Sequence, residues 1–156
     1  MKKVESAPLW ASPVLYVEDE VLNWEVAELR LKSRFALQWA RSAEEACTKV
    51  RLQKGDYLAI LMDIQLTGSA LDGIQLTRAL RGKLDPNTLP QFAHALPMVT
   101  CPIFFVTAYG DLYLGPPMND SGGDGWLPKP IDFVKLLTLL ARANAMRAVA
   151  SLKPPA

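Results

Sequence analysis

The sequence predicts an α/β domain built on a parallel sheet with helices over both faces, and two observations carry that expectation. Short apolar runs at residues 13–17, 35–40, 58–62, 102–106 and 125–127 alternate with stretches of helical spacing or turn-forming residues, the order that builds βαβ units. The central run, Leu58-Ala59-Ile60-Leu61-Met62, contains no polar residue. That is too apolar for a strand with one wet face, so it suits the middle of a sheet covered on both sides. At 156 residues and 50% hydrophobic content the chain can bury one substantial core, and a second domain would not fit. The expected folded unit is 13–148, with 1–12 as an amino-terminal extension and 149–156 as a flexible tail.

The first strand, residues 13–17, runs into Glu18, Asp19 and Glu20. Leu22, Val26 and Leu29 follow at i, i+4 and i+7 and predict a helix that buries this stripe and ends near Ser33. Residues 35–40 form the second strand. Ser42 with Glu45 three residues on is a capping-box signal, and Ala43, Ala46, Cys47 and Val50 mark the next buried face. Gly55-Asp56 turns the chain into the central strand, which breaks on Asp63. A loop leads to Asp72 as N-cap with Gln75 at the third helical position; Gly73, Leu76, Thr77 and Leu80 give that helix its face and Gly82 stops it.

Residues 83–100 contain Pro86, Pro90 and Pro97 and no stable period, which predicts a long loop. Residues 102–106 form the fourth strand, ending in Thr107. Gly110, Gly115, Pro116 and Pro117 oppose a regular helix in the connection that follows, so an irregular or shortened fourth helix is expected. Residues 125–127 make a short fifth strand before Lys129-Pro130. Asp132 caps the last helix, with Phe133, Leu136, Leu137 and Leu140 as its stripe.

Composition excludes several classes. Seventeen basic against sixteen acidic residues give a net charge of +1, no field for gripping nucleic acid or an anionic membrane. No apolar run reaches the ~20 residues of a membrane span, and the amino terminus lacks a signal-peptide core, so a cytoplasmic protein is expected. Cys47 and Cys101 have no metal-ligand spacing and read as buried free thiols.

Chemistry concentrates at the strand ends: Glu18 and Asp19, Asp63, Thr107 and Lys129. In open parallel sheets the carboxyl ends of the strands face the ligand crevice. Taken singly, acids cap turns, a threonine suits a strand and a lysine after a strand is solvated; all five residues at four strand ends together are harder to dismiss. In VLYVEDE, ILMDIQL, FFVTA and GGDGWLPKPID, in this order and spacing, the chain resembles the receiver domains of two-component signalling from about residue 13 to 146.

That resemblance implies a flavodoxin-like, doubly wound, five-stranded parallel sheet of order 2-1-3-4-5. It implies a phosphoacceptor that takes a phosphoryl group from a partner phosphohistidine onto Asp63 with Mg²⁺, and that catalyses its own phosphorylation and dephosphorylation rather than acting as an enzyme on others. Asp19 and Asp63 are the expected direct metal ligands, Glu18 acts directly or through water, and the backbone carbonyl of Gln65 is a further ligand. Lys129 and Thr107 contact phosphoryl oxygens, Thr107 and Trp126 form the switch, and Tyr109 guards access. A cis Lys129-Pro130 bond aims the lysine. Partners are a histidine kinase or histidine phosphotransfer protein and a downstream protein target, with no nucleic acid and no membrane.

Against the family pattern, two extra residues separate Asp63 from Asp72-Gly73, Thr67 replaces the loop's common proline, and residues 83–100 lengthen the path to the fourth strand. His94 in that insertion reads as an exposed loop histidine, not a phosphodonor. One rival is a pseudo-receiver that binds a partner without phosphorylation. Another is an aspartyl-phosphate hydrolase of the haloacid dehalogenase type, which wants D-x-D where this chain has Glu18-Asp19-Glu20. Stand-alone regulator, relay intermediate and excised kinase domain all fit the sequence.

Overall fold

A computed structural model describes residues 12–108, 118 and 120–152. Its strands are β1 (Val14–Val17), β2 (Leu37–Ala40), β3 (Ala59–Asp63), β4 (Ile103–Thr107) and β5 (Gly125–Pro128). Its helices are α1 (Val21–Leu31), α2 (Ala43–Leu52), α3 (Gly73–Leu80) and α4 (Phe133–Ser151), with a 3-10 turn at Gln91–Ala93. The sheet runs β2-β1-β3-β4-β5 with all four pairings parallel. This is the flavodoxin-like order that the resemblance implied.

Alternation along the strands splits the interior into two layers. Leu15, Val17, Ile60, Met62, Ile103 and Phe105 point to one side and pack with the apolar faces of α2 and α3. Val14, Tyr16, Leu61, Phe104, Val106 and Leu127 point to the other, against Ala27 and Leu31 of α1 and Leu136, Leu140 and Ala143 of α4. β3, in the middle, is buried at all five positions, as its apolar run requires.

The predicted faces of α2 and α3 are the buried ones. Asp72 and Gln75 form a reciprocal capping box at 2.8 and 2.9 Å. At α2 only half of the box exists: Ser42 Oγ accepts from the Glu45 amide, but the Glu45 carboxylate turns to the Arg41 amide at 2.7 Å.

Other expectations need correction. On α1 the stripe Leu22, Val26 and Leu29 is exposed, while Ala27 and Leu31 are buried and Trp24 half-buried. Both sets have helical spacing; the set containing alanine lets the helix approach the sheet closely. β2 begins at Leu37 rather than Phe35, because Phe35 leaves the strand path to pack with the α1 layer. Residues 83–100 are not a bare loop: Leu89, Phe92, Ala93 and Leu96 cover the α2 layer, and the Arg51 guanidinium donates to the carbonyls of Phe92 and His94. α4 continues to Ser151, three residues past the expected boundary at 148. The expectation of an irregular helix after β4 falls largely on residues 109–117 and 119, outside the described residues, as do 1–11 and 153–156. Among the described residues no helix is long and apolar enough to cross a membrane.

Candidate functional site

Parallel pairing delivers the strand-end residues to one edge of the sheet. Val17 lies opposite Met62, Asp63 opposite Val106, and Thr107 opposite Pro128. Glu18, Asp63, Thr107 and Lys129 therefore leave four adjacent strands at the same level. With Asp19, Glu20, Asn23, Gln65, Thr67 and Ala108, three of them (Asp63, Thr107 and Lys129) line a cleft of about 270 Å³; Glu18 lies beneath, fully buried. A larger cavity of about 640 Å³ sits at the opposite, amino-terminal edge, around Tyr57, Pro102 and Asp124. None of the strand-end acids reaches it.

Carboxylate oxygens of Glu18, Asp19 and Asp63 all lie within 4.8 Å of one another. Against them stands the Lys129 ammonium, 2.8 Å from Glu18 Oε2 and 3.0 Å from Asp63 Oδ2. Burial, then the Glu18 charge, pushes the Asp63 carboxyl up to about 7, with Lys129 pulling the other way. Burial also works against the Lys129 ammonium, but its bonds to Glu18 and Asp63 and their charges outweigh this and raise its pKa. Lys129 thus pairs with two of the three clustered carboxylates, and the excess negative charge calls for a further cation. An all-oxygen, carboxylate-rich donor set of this kind fits a hard divalent ion.

The two acids of the β1–α1 turn are held differently. Glu18 is tied at both oxygens, by the Tyr16 hydroxyl at 3.0 Å and Lys129 on Oε2 and by the Glu20 amide at 3.0 Å on Oε1. Asp19 is partly exposed, and its Oδ2 accepts from the Thr67 amide at 3.1 Å. A proline at 67 has no amide proton, so the departure noted in that loop gives Asp19 a bond that the common residue could not. The Gln65 amide donates to Asp63 Oδ1 at 3.3 Å. Gly73 closes the loop from below, donating to the Ile64 carbonyl at 2.8 Å, and a Cβ there would collide with the Asp63 carbonyl.

Thr107 is buried at the end of β4, and its carbonyl accepts from the Lys129 amide at 3.0 Å. The Lys129-Pro130 bond is cis, as expected. Trp126 is half-buried against the α2 layer. Tyr109 lies outside the described residues. His94 is exposed, its Nε2 3.0 Å from the Leu89 carbonyl, in the insertion rather than in the cleft. Both cysteines are free, with burial raising each thiol to about 11, although Cys101 is only half-buried.

Two residues of this site were missed in the sequence. Tyr16 could have been found by the period of two, which sets it on the same strand face as Glu18. Trp39 could not: its indole N–H reaches the Glu18 carbonyl from a strand 21 residues away.

Residues 14–141 match the family described as the response regulator receiver domain. The osmosensing histidine protein kinase SLN1 of Saccharomyces cerevisiae is 33% identical over 132 residues, 81% of this chain but 10% of the kinase. The chain thus spans about a tenth of that relative's length. Among solved structures, the receiver domain of the sensor histidine kinase PA1611 from Pseudomonas aeruginosa PAO1, with a magnesium ion coordinated in its active site cleft, is 27% identical. It superposes with a TM-score of 0.61 over 84% of this chain and 95% of that one. A CheY-like receiver domain from Methylobacillus flagellatus, at 23% identity and a TM-score of 0.66 over 85% and 98% of the two chains, shares the fold.

Proposed function

We propose, because the chain belongs to the response regulator receiver family of two-component systems, that it takes a phosphoryl group from a partner phosphohistidine onto Asp63. The observation that carries this is the convergence of Glu18, Asp19 and Asp63 within 4.8 Å beside Lys129. Asp19 and Asp63 would hold Mg²⁺, with the Gln65 carbonyl as a further ligand and Glu18 acting from behind. When bound, the ion supplies the positive charge that lets an anionic donor approach a carboxylate.

An Asp63 oxygen attacks phosphorus, the P–N bond to the partner's imidazole breaks, and the electron pair leaves on that nitrogen. Lys129 turns from Asp63 to a phosphoryl oxygen, and the Thr107 hydroxyl donates to another. Both gain negative charge to bind as the group arrives, which makes Thr107 and, behind it, Trp126 the two-state element that signals to a downstream protein. Tyr109 follows two residues after Thr107 and would shield the product from water. The partner is a histidine kinase or phosphotransfer protein. Exposed Leu22, Val26 and Leu29 on α1 offer it an apolar face near the cleft, which Asn23 of the same helix lines.

The test is incubation with a small-molecule phosphodonor and Mg²⁺, read by intact mass. One acid-stable, base-labile phosphoryl group is expected on the wild type and none on Asp63→Asn. Equal uptake by the variant rejects Asp63 as acceptor. Mg²⁺ binding without uptake by either protein would instead favour a phosphorylation-independent interaction module.

A further inference from the structure

Trp39 reaches from the end of edge strand β2 to the turn after β1, where its indole N–H donates to the Glu18 carbonyl at 2.7 Å. The ring itself is gripped. Trp24 of α1 stacks on it with centroids 5.3 Å apart and planes 5° from parallel, and the Arg41 guanidinium carbon lies 5.1 Å from the ring centroid. The carbonyl so held belongs to the peptide that leads into Asp19. Glu20, the N-cap of α1, makes no side-chain cap, so beyond the Glu20 amide's bond to Glu18 Oε1 this turn is held by ties from other elements. Three consecutive acids beside Asp63 also repel one another, and that repulsion favours a spread turn.

We propose that Trp39, backed by Trp24, is a positioning residue that fixes the Glu18–Asp19 peptide so that the Asp19 carboxylate is already aimed at the divalent cation. The proposal rests on the cation-binding role given to the site above. Neither tryptophan touches the ion or the phosphoryl group. Their contribution is preorganisation: ordering that the acidic turn would otherwise undergo during binding is done by the fold.

Calorimetric Mg²⁺ titration of the full chain tests this, with wild type, Trp39→Phe, Trp24→Ala and Asp63→Asn compared. Trp39→Phe keeps an aromatic ring to stack but loses the N–H together with part of the ring's area, a loss of packing that Trp24→Ala controls for. It should bind Mg²⁺ about three- to tenfold more weakly, the effect of one net hydrogen bond. Trp24→Ala should weaken binding by a smaller factor. Amide exchange at Asp19 and Glu20 should quicken in both, and phosphorylation should return to the wild-type level at saturating Mg²⁺. Affinities within twofold of wild type in both variants overturn the proposal, whatever happens to their melting temperatures. Should Trp39→Phe fail to fold, Trp24→Ala decides alone. A wild type that takes up no Mg²⁺ sinks the role of the site and the inference together. Uptake by wild type but not by Asp63→Asn upholds that role, and the affinities of the tryptophan variants then decide the inference by itself.

Discussion

Asp63 is held where its own charge is unwelcome. Its carboxyl titrates near 7 in the folded protein, raised first by burial and then by Glu18, against roughly 4 in an unfolded chain. The folded state therefore binds this proton more tightly, and the contribution of Asp63 to the stability of the metal-free protein falls as pH rises from about 4 to about 7. Asp63→Asn abolishes this titration. In a chelator at pH 8 the variant should melt above wild type by on the order of 5 °C, and the gap should shrink as pH falls toward 5. Mg²⁺ should raise the wild-type melting temperature and narrow the gap. A gap independent of pH in scanning calorimetry would show that Asp63 is not strained by charge.

Connections between elements carry more of the fold than their composition suggests. Arg81, just after α3, donates to the carbonyls of Gly122 at 3.0 Å and Cys101 at 2.8 Å, to that of Val99, and to Asp124 Oδ2 at 3.0 Å. Asp124 Oδ2 in turn accepts from the Ile103 amide at 2.8 Å. One guanidinium thus joins α3, the end of the 83–100 insertion and the starts of β4 and β5. Its side chain is only 13% exposed, and although Asp124 is 49% exposed, the part-buried carbonyls the guanidinium leaves would be poorly hydrated. Arg81→Met keeps the apolar stem and should cost about 2–3 kcal/mol in urea unfolding. A loss under about 0.5 kcal/mol would mean that water replaces the guanidinium freely. Nothing in local spacing marks Arg81, because its partners lie 18 to 43 residues away.

The molecule as a whole ends its packed core before its last helix ends. Ala143 is the final buried residue of α4, the family match stops at 141, and the helix runs on to Ser151. The overhang is tied back by Arg147 to Asp56 at 2.6 Å, a pair whose side chains are 47% and 54% exposed. Truncation after Asn144 should therefore cost less than about 1 kcal/mol and leave phosphorylation of Asp63 intact. The Arg147 hydrogen bond, helped by Ser12, holds the Asp56 carboxyl below its ordinary range. The pair's contribution is thus complete above about pH 4 and fades in stronger acid, so the truncated and full chains should converge there. A larger cost at neutral pH would show that the overhang stabilises the core.

What the sequence alone determined follows from short-range regularities. A strand has a side-chain period of two and a covered middle strand must be apolar, so β3, the layer order and the residues delivered to the carboxyl edge were legible from the runs and their terminal residues. Capping at Asp72 was equally local. Tertiary structure alone decided which stripe of α1 turned inward, since Trp24, Ala27 and Leu31 compete with Leu22, Val26 and Leu29 at the same helical period. It also decided that the insertion packs, and that Tyr16, Trp39 and the Thr67 amide brace the acidic turn. These contacts, Tyr16 apart, join residues far apart in the chain, and a period describes only neighbours on one element.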